Sequence, residues 1–353
     1  MRAATFTGYG EPLEIRDVDA PDPEPSGVVV ETEACGICRS DWHAWQGDPA
    51  WETLDFQEGH VFGHEPAGTV VSVGDAVDQF REGDRVAVPF NLGDGTCRLC
   101  RNGHSNVCDD RIPLGLVPEA PGAFAEQFHA PRADQNVIRL PDGVSSTEMA
   151  GLGCRFVTAF HALVHRADVS AGDWLAVHGC GGVGLSVVHV ADALGANVVA
   201  VDLFDEKLDV AADLGAVETV NARVVDDVPA TVKAITDGGA DVSVDALGIA
   251  ETCRNSIRSL AKLGQHVQIG LTTGAEGGEI ALPTDLMVRR EITFVGTIGM
   301  QPSRYDEIFN LIDSGKIEPA KVVSETVPLE GTSAKLEAMS EFDTVGIPVI
   351  DEF

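Results

Sequence analysis

Trp174-Leu175-Ala176-Val177-His178-Gly179-Cys180-Gly181-Gly182-Val183-Gly184 runs from a continuous apolar stretch into a glycine-rich turn. The first five residues read as a buried strand, and the pattern that follows, through Leu194, reads as a helix. The three spaced glycines have separate uses in such a strand–turn–helix. Gly179 makes the tight turn, Gly181 lets the backbone approach a pyrophosphate, and Gly184 lets helix pack against strand. Gly182 and Val183 then open a helix whose positive dipole end faces the phosphates. The next strand, Asn197-Val198-Val199-Ala200-Val201-Asp202, ends on an acid. It stands at about the ~20-residue spacing at which a carboxylate binds a ribose 2′-hydroxyl. Asp202 would also repel a 2′-phosphate, and Asp205 and Glu206 add to the negative charge, so the expected cofactor is NAD rather than NADP. A chance glycine turn would need both strand contexts to be coincidental.

The alternation continues with helix 205–214, strand 217–220, helix 227–236, strand 241–245, helix 250–262 and strand 266–270, and a further strand lies near Thr293-Phe294-Val295-Gly296. Strands alternating with helices at this spacing predict parallel βαβ units, a Rossmann-type doubly wound sheet. Upstream of about residue 150 the texture is different. Short alternating runs at Gly27–Glu33, Ala67–Gly74 and Asp84–Val88, split by glycine and proline, predict a mainly β domain. Pro21–Ser26 is a proline-rich connector. A helix at 303–314 and a strand-like Ile347-Pro348-Val349-Ile350 close the chain, the latter expected to rejoin the first domain. The fold class is therefore α/β with two domains: 1–155 plus 298–353, and 156–297.

The 353 residues carry 56 acids against 24 bases, a formal charge of −32. Such a surface repels nucleic acid and anionic lipid, so neither is expected as a partner. Only six of the bases are lysines, the first at Lys207, and no acidic run is present. Charge spread over a folded surface with lysine this scarce points to a halophile's protein rather than a merely acidic one. The longest apolar runs are strand-sized and the amino terminus lacks a signal-peptide core, so a cytoplasmic location without a membrane span is expected.

Eight cysteines in a chain of this kind suggest metal ligands before disulfides. Asp94-x-x-Cys97-x-x-Cys100, with Cys108 after seven intervening residues, forms a compact lobe. Two thiolates spaced by two residues can chelate one ion from a turn, and a fourth ligand closes a tetrahedron. Asp94 is a harder oxygen donor, and His104 could compete for its place; a loop of reduced cysteines without metal is the bland alternative. Four protein ligands make a closed, structural site. A second set is dispersed: Cys38 with Ser40, Asp41 and His43, then Gly63-His64-Glu65, then Gly153-Cys154. Two thiolates and one imidazole would leave a position open on zinc for a reacting oxygen. Sequence alone does not bring these distant residues together.

Gly36-Ile37-Cys38-Arg39-Ser40-Asp41, Gly63-His64-Glu65-Pro66-Ala67-Gly68 and Gly83-Asp84-Arg85-Val86 occur in an order that resembles the zinc-containing medium-chain alcohol dehydrogenases, along essentially the whole chain. The resemblance implies a mainly β, GroES-like catalytic domain beside the Rossmann-type coenzyme domain. It implies that Cys38, His64 and Cys154 hold a catalytic zinc and that Asp94, Cys97, Cys100 and Cys108 occupy the structural zinc positions. Ser40 matches the hydroxyl that takes the alcohol's proton and His43 the group that passes it to solvent. Asp41 matches the carboxylate that orients His64, and Glu65 one lying behind the zinc. Arg39 and Lys207 fall where the pyrophosphate and adenosine ribose of the coenzyme are touched, and Thr158 beside the nicotinamide. Ala246, Leu247 and Ile269 complete the expected coenzyme set. Trp42 and Phe90 are candidates for the substrate-pocket wall.

Cys35, Cys180 and Cys253 match no ligand position and read as buried thiols. His60, His129, His161, His165, His178, His189 and His266 read as ordinary histidines. Two positions depart from the family. Asp94 stands where the first of four cysteines is usual, and Gly346-Ile347 where glycine–arginine is common, which predicts a weaker pyrophosphate contact or another cation in its place. The expected reaction is reversible oxidation of a primary or secondary alcohol, with hydride transfer to NAD. The rivals are a polyol, aldose or amino-alcohol dehydrogenase on the same scaffold, against which Cys154 and the aromatic Trp42, Phe90 and Phe156 argue, and a non-catalytic coenzyme-binding relative. The resemblance further implies a homo-oligomer, a tetramer before a dimer, acting on a small-molecule alcohol, aldehyde or ketone.

Overall fold

The computed structural model describes residues 1–48, 55–272, 274–340 and 344–353. The chain forms two compact units. The first comprises Met1–Cys154, Gly299–Asp313 and Glu318–Phe353, and the second Arg155–Ile298 with Ser314–Ile317. Arg155, Ile298 and 314–317, expected in the catalytic domain, cluster with the second unit, where Arg155 packs on Gly182.

In the second unit six parallel strands lie in the order Ala216–Asn221, Asn197–Asp202, Trp174–His178, Ala240–Asp245, Leu260–Gln268 and Thr293–Gly296. Numbered along the chain that order is 3-2-1-4-5-6, the doubly wound order predicted from the glycine turn. Leu175, Ala176 and Val177 are wholly buried, as continuous apolar runs require when helices cover both faces of a sheet. The order reverses between Trp174–His178 and Ala240–Asp245, and there His178 pairs with Asp245. The carboxyl ends of these two strands open the crevice in which such sheets bind ligands.

One helix was read too long. The pattern at 250–262 suggests a helix, but the observed one, Ala250–Ser259, stops where Leu260 pairs with Ala240 and starts the next strand. Leu263, with φ +66°, takes the left-handed region that continued helix forbids. The strand expected at 266–270 accordingly runs from Leu260 to Gln268 and leaves Ile269 just beyond it. The helix expected at 303–314 is a 3₁₀ turn, Pro302–Arg304, followed by an α-helix over Tyr305–Asp313.

In the first unit seven strands form one sheet. Val323–Pro328, Ile347–Glu352, Val28–Gly36, Glu65–Val73, Arg85–Ala87 and Ile138–Arg139 are neighbours in that order, and Gln127–Ala130 also pairs with Val28–Gly36. The carboxyl-terminal strand does rejoin this unit, placing Ile350 opposite Cys35. A core of Val28, Val30, Phe62, Phe124, Phe128 and Leu116 fills the unit. Most consequential for the site is the antiparallel register that sets Gly36 opposite Glu65, since it brings the segment starting at Cys38 beside His64. Among the described residues no helix is long and apolar enough to cross a membrane.

Candidate metal and coenzyme sites

Strand Val28–Gly36 leads through Ile37 and Cys38 into the helix Arg39–Gln46, with Cys38 as its N-cap. Asp41, at the third helical position, reaches back so that Oδ2 accepts the Cys38 N–H at 2.9 Å, the carboxylate half of a capping box. Its Oδ1 accepts the backbone N–H of Gly63 at 3.1 Å and Nδ1–H of His64 at 2.8 Å. One fully buried carboxylate therefore ties both segments together. Because Nδ1 donates to Asp41, the lone pair of His64 is left on Nε2, which is buried without a hydrogen-bond partner among the described residues.

That nitrogen, the Cys38 and Cys154 thiols and a Glu65 carboxylate oxygen all lie within 4.8 Å of one another. An orphaned imidazole nitrogen facing two thiols is the donor set zinc takes, so the residues fit that ion. Without a cation at Nε2, burial alone would lower the His64 pKa, but the charges of Asp41 and Cys38 outweigh it and hold it well above the ordinary value; a metal ion would take the place of that proton. Glu65 sits in a slot that glycine makes. A Cβ on Gly36 would strike its carboxylate, and one on Gly153 would lie 2.5 Å from its own Cβ. Glu65 thus shares the donor cluster rather than lying apart from it. A small cavity opens here between His64, Cys154, Phe90, Met149, Val88 and Tyr305.

In the lobe, Asp94, Cys97, Cys100 and Cys108 also bring one donor atom each within 4.8 Å of the others. Cys97 Sγ and Cys108 Sγ are 3.7 Å apart, and Zn–S bonds of about 2.3 Å in a tetrahedron put sulfurs about 3.8 Å apart. Backbone N–H groups of Cys100 and Asp94 point at Cys97 Sγ and Cys108 Sγ, each at 3.4 Å. The N–H groups of Cys97 and Thr96 hold the Asp94 carboxyl far below the usual carboxylate range. Burial, then the Asp94 carboxylate, pushes the Cys100 thiol up to about 12, whereas the Cys100 N–H lowers that of Cys97. Donors of this charge held so close suit a cation. His104 is exposed and outside the cluster, which removes it as a competitor.

The glycine turn has the geometry its spacing predicts. Gly179 has φ +94°, and a Cβ on Gly184 would collide with the Gly179 carbonyl, so helix and strand touch backbone to backbone. Gly181, the extended N-cap of helix Gly182–Leu194, has nothing within 4 Å of a would-be Cβ, leaving its face open. Asp202 Oδ2 accepts the Cys180 N–H at 2.7 Å, while Oδ1 accepts those of Leu203 and Phe204 at 2.7 and 3.1 Å. The acid is thus locked beside the turn. Lys207 is buried, its ammonium 5.0 Å from the Phe204 ring centroid. Ala246 donates its N–H to His178 O, Leu247 its N–H to Asp245 Oδ1, and Ile269 its N–H to Asp245 O, so all three lie at the strand ends around the crevice. Thr158 is buried in the helix Cys154–Phe160.

Other expectations land differently. Trp42 does not line the cavity with Phe90; its indole donates to Ser340 Oγ at 2.9 Å and carries the Arg39 guanidinium 3.7 Å above the ring. Arg39 also donates to the Met339 carbonyl, and burial lowers its pKa to about 10. Ser40 Oγ stands 3.9 Å from Cys38 Sγ. Two residues escaped the sequence reading. Asp48 holds His43 through an Nδ1···Oδ2 contact of 2.9 Å, both side chains being buried. Tyr305 is buried beside Cys154 and Glu65, and burial drives its phenol pKa up. Neither belongs to a motif; a buried histidine's need for a partner was the one available signal for Asp48. Cys35, Cys180 and Cys253 are buried and outside both clusters.

Residues 24–142 match the model of the alcohol dehydrogenase GroES-like domain, and residues 182–314 that of the zinc-binding dehydrogenase domain. The chain is 32% identical over 357 residues to an NAD-dependent alcohol dehydrogenase of Sulfurisphaera tokodaii, covering 99% of each. It is also 32% identical over 345 residues to an alcohol dehydrogenase of Geobacillus stearothermophilus, covering 97% of this chain and 96% of that one. The solved structure of an alcohol dehydrogenase from Thermus sp. ATN1 superposes with a TM-score of 0.90 at 29% identity over the full length of both chains.

Proposed function

The chain belongs to the zinc-containing medium-chain alcohol dehydrogenases, and from that premise we propose that it interconverts primary or secondary alcohols with aldehydes or ketones, using NAD as hydride acceptor. The observation that carries the reading is the convergence of Cys38, His64 and Cys154, with His64 fixed by Asp41. When bound, zinc supplies the Lewis acidity that makes an alcohol hydroxyl acidic near neutral pH, and NAD supplies the hydride acceptor. The chain's own residues do the rest. Ser40, beside the Cys38 sulfur, is placed to take the hydroxyl proton, and His43, three residues on along the same helix, to hold it and release it to solvent. Asp48 keeps the His43 ring in one orientation. Phe90, Val88 and Met149 exclude water from the cavity and favour an apolar substituent over a polyol chain.

The first unit is the catalytic domain and the second the coenzyme domain. Asp202 selects NAD, because a 2′-phosphate would meet its carboxylate. The charge of −32 suits concentrated salt, in a halophile's cytoplasm. The edge strand Thr293–Gly296 ends the six-stranded sheet with Phe294 41% exposed, and Val288 nearby is 77% exposed. Such an edge supports pairing with a second copy, hence a homo-oligomer, a tetramer by family likeness. A panel of short aliphatic, aromatic and polyol alcohols, assayed with NAD and with NADP in high potassium chloride, tests this reading. Faster turnover of apolar alcohols with NAD is expected. A preference for polyols or for NADP would overturn it.

A further inference from the structure

The cavity beside the Cys38–His64–Cys154 donors has an uneven wall. Val88, Pro89, Phe90 and Met149 present carbon, and Tyr305 carries the one hydroxyl among the described lining residues. Tyr305 is the first residue of the helix Tyr305–Asp313, entered through the 3₁₀ turn Pro302–Arg304. The segment leading into that turn passes close to the same wall. Gly299, at φ +53°, would put a Cβ 3.1 Å from Phe90 Cε1 and Cζ, so a side chain there would press on the ring. Glycine at 299 thus lets the chain run along Phe90 on its way to Tyr305.

Tyr305 is 2% exposed, and a buried phenol ordinarily finds a hydrogen-bond partner. Among the described residues its hydroxyl makes no hydrogen bond; Cys154 and Glu65 act on it through their charges alone. The oxygen is not sealed into the packed core either, which leaves the cavity for it to face. Burial, then the charges of Cys154 and Glu65, oppose its ionisation, so it stays an O–H donor. An alcohol whose reacting hydroxyl sits at the donor cluster lays its next atoms along this wall. An all-carbon chain fills the apolar part and leaves the phenol unpaired, whereas a chain with one acceptor oxygen satisfies both. A polyol brings more hydroxyls than one phenol can serve, and the others meet carbon. Because the phenol and the donor cluster wall the same small cavity, the acceptor must lie within a few bonds of the reacting carbon.

We infer that Tyr305 is a specificity-determining residue that donates a hydrogen bond to an ether or carbonyl oxygen on the carbon beside the carbinol. The substrates it favours are short alcohols with one such oxygen and an otherwise apolar chain. This rests on the alcohol-oxidising reading above and narrows its substrate class.

Steady-state oxidation of 2-methoxyethanol and 1-butanol by the zinc-loaded enzyme with NAD, in wild type and Tyr305→Phe, tests the inference. The two alcohols match in length and differ by an oxygen for a methylene. The ratio of kcat/KM for the ether to that for 1-butanol should fall about 3–10-fold in Tyr305→Phe, the worth of one neutral hydrogen bond, with zinc content unchanged. Titration of the enzyme–NADH complex with methoxyacetamide and butyramide, which carry the same two chains on an unreactive carbonyl, should show the same split in Kd. A shift below about threefold in either ratio overturns the inference. That holds even where both alcohols slow equally, since the phenol would then act on the reacting oxygen or the metal site. If Tyr305→Phe does not fold with its zinc, Tyr305→Leu decides by the same ratios. A wild-type enzyme that oxidises neither alcohol with NAD removes the proposed function, and the inference falls with it; oxidation of both with an indifferent ratio removes the inference alone.

Discussion

Replacing Asp41 by asparagine changes one atom of the side chain and breaks a three-way arrangement. Oδ2 accepts from Cys38 N–H, and Oδ1 accepts from Gly63 N–H and His64 Nδ1–H, with the carboxylate fully buried. Asparagine offers one oxygen and one NH₂. If its oxygen faces His64, the NH₂ opposes the Cys38 N–H, donor against donor. If the amide flips, the NH₂ donates to His64 Nδ1, which moves the imidazole proton to Nε2, the atom that faces the metal cluster. Either orientation leaves a buried donor unpaired, at about 1–3 kcal/mol of folding stability. Loss of the orienting carboxylate weakens metal binding by about 10–100-fold, or roughly 1.4–2.7 kcal/mol. Competition against a chelator of known zinc affinity reads the second effect directly, and thermal unfolding of the zinc-loaded protein reads both. Zinc affinity in Asp41→Asn within twofold of wild type would refute the reasoning, because Asp41 would then not be what fixes His64.

His43 has its pKa lowered by burial, with the Asp48 hydrogen bond opposing the shift. As the proton acceptor it must be neutral, so alcohol oxidation should persist below the ordinary histidine range, and Asp48→Asn should move the acid limb of the kcat profile still lower while reducing kcat; an unmoved limb counts against Asp48. Burial depresses His178 to about 3, below its value in the unfolded chain. The unfolded state then binds the extra proton as pH falls through about 6.5, so stability is lost on acidification, by about 1.4 kcal/mol near pH 5.5 for this residue. Urea unfolding at pH 7 and 5.5 should show that loss, and His178→Gln should shrink it. Cys97→Ser should remove one zinc per chain and lower the melting temperature with activity at low temperature retained, as a closed structural site requires. Stability at −32 net charge should rise steeply with potassium chloride in thermal melts, and a salt-independent melting point would contradict the halophile reading.

How much of this was legible in the sequence depends on how far apart the cooperating residues lie. The glycine turn could be read because each glycine answers a local steric demand, as Gly184 does against the Gly179 carbonyl. The lobe was equally readable, its four donors falling between residues 94 and 108. The other metal cluster is of a different kind. Cys38 and His64 meet through the Gly36–Glu65 strand register, and Cys154 follows the helix Ser146–Gly151, so only the family resemblance proposed the trio before the fold assembled it. Helix 250–262 runs too far because Leu260 continues the helical spacing of Ile257, whereas pairing with Ala240 makes Leu260 a strand residue. Trp42 comes to the pocket wall only through the resemblance, and what the fold adds is that its indole ring carries the Arg39 guanidinium. Tyr305 reaches the site from far along the chain and belongs to no motif, so no local pattern announced it.

The central claim is that Cys38, His64 and Cys154 form the zinc site at which the alcohol reacts. Zinc content by elemental analysis, measured on the same preparations as NADH formation, tests it most directly in wild type, Cys38→Ser and His64→Ala. Two zinc ions per wild-type chain are expected, falling to one in each variant while the lobe keeps its own ion, with NADH formation lost in step. Undiminished NADH formation from a variant that has lost that zinc would contradict the account.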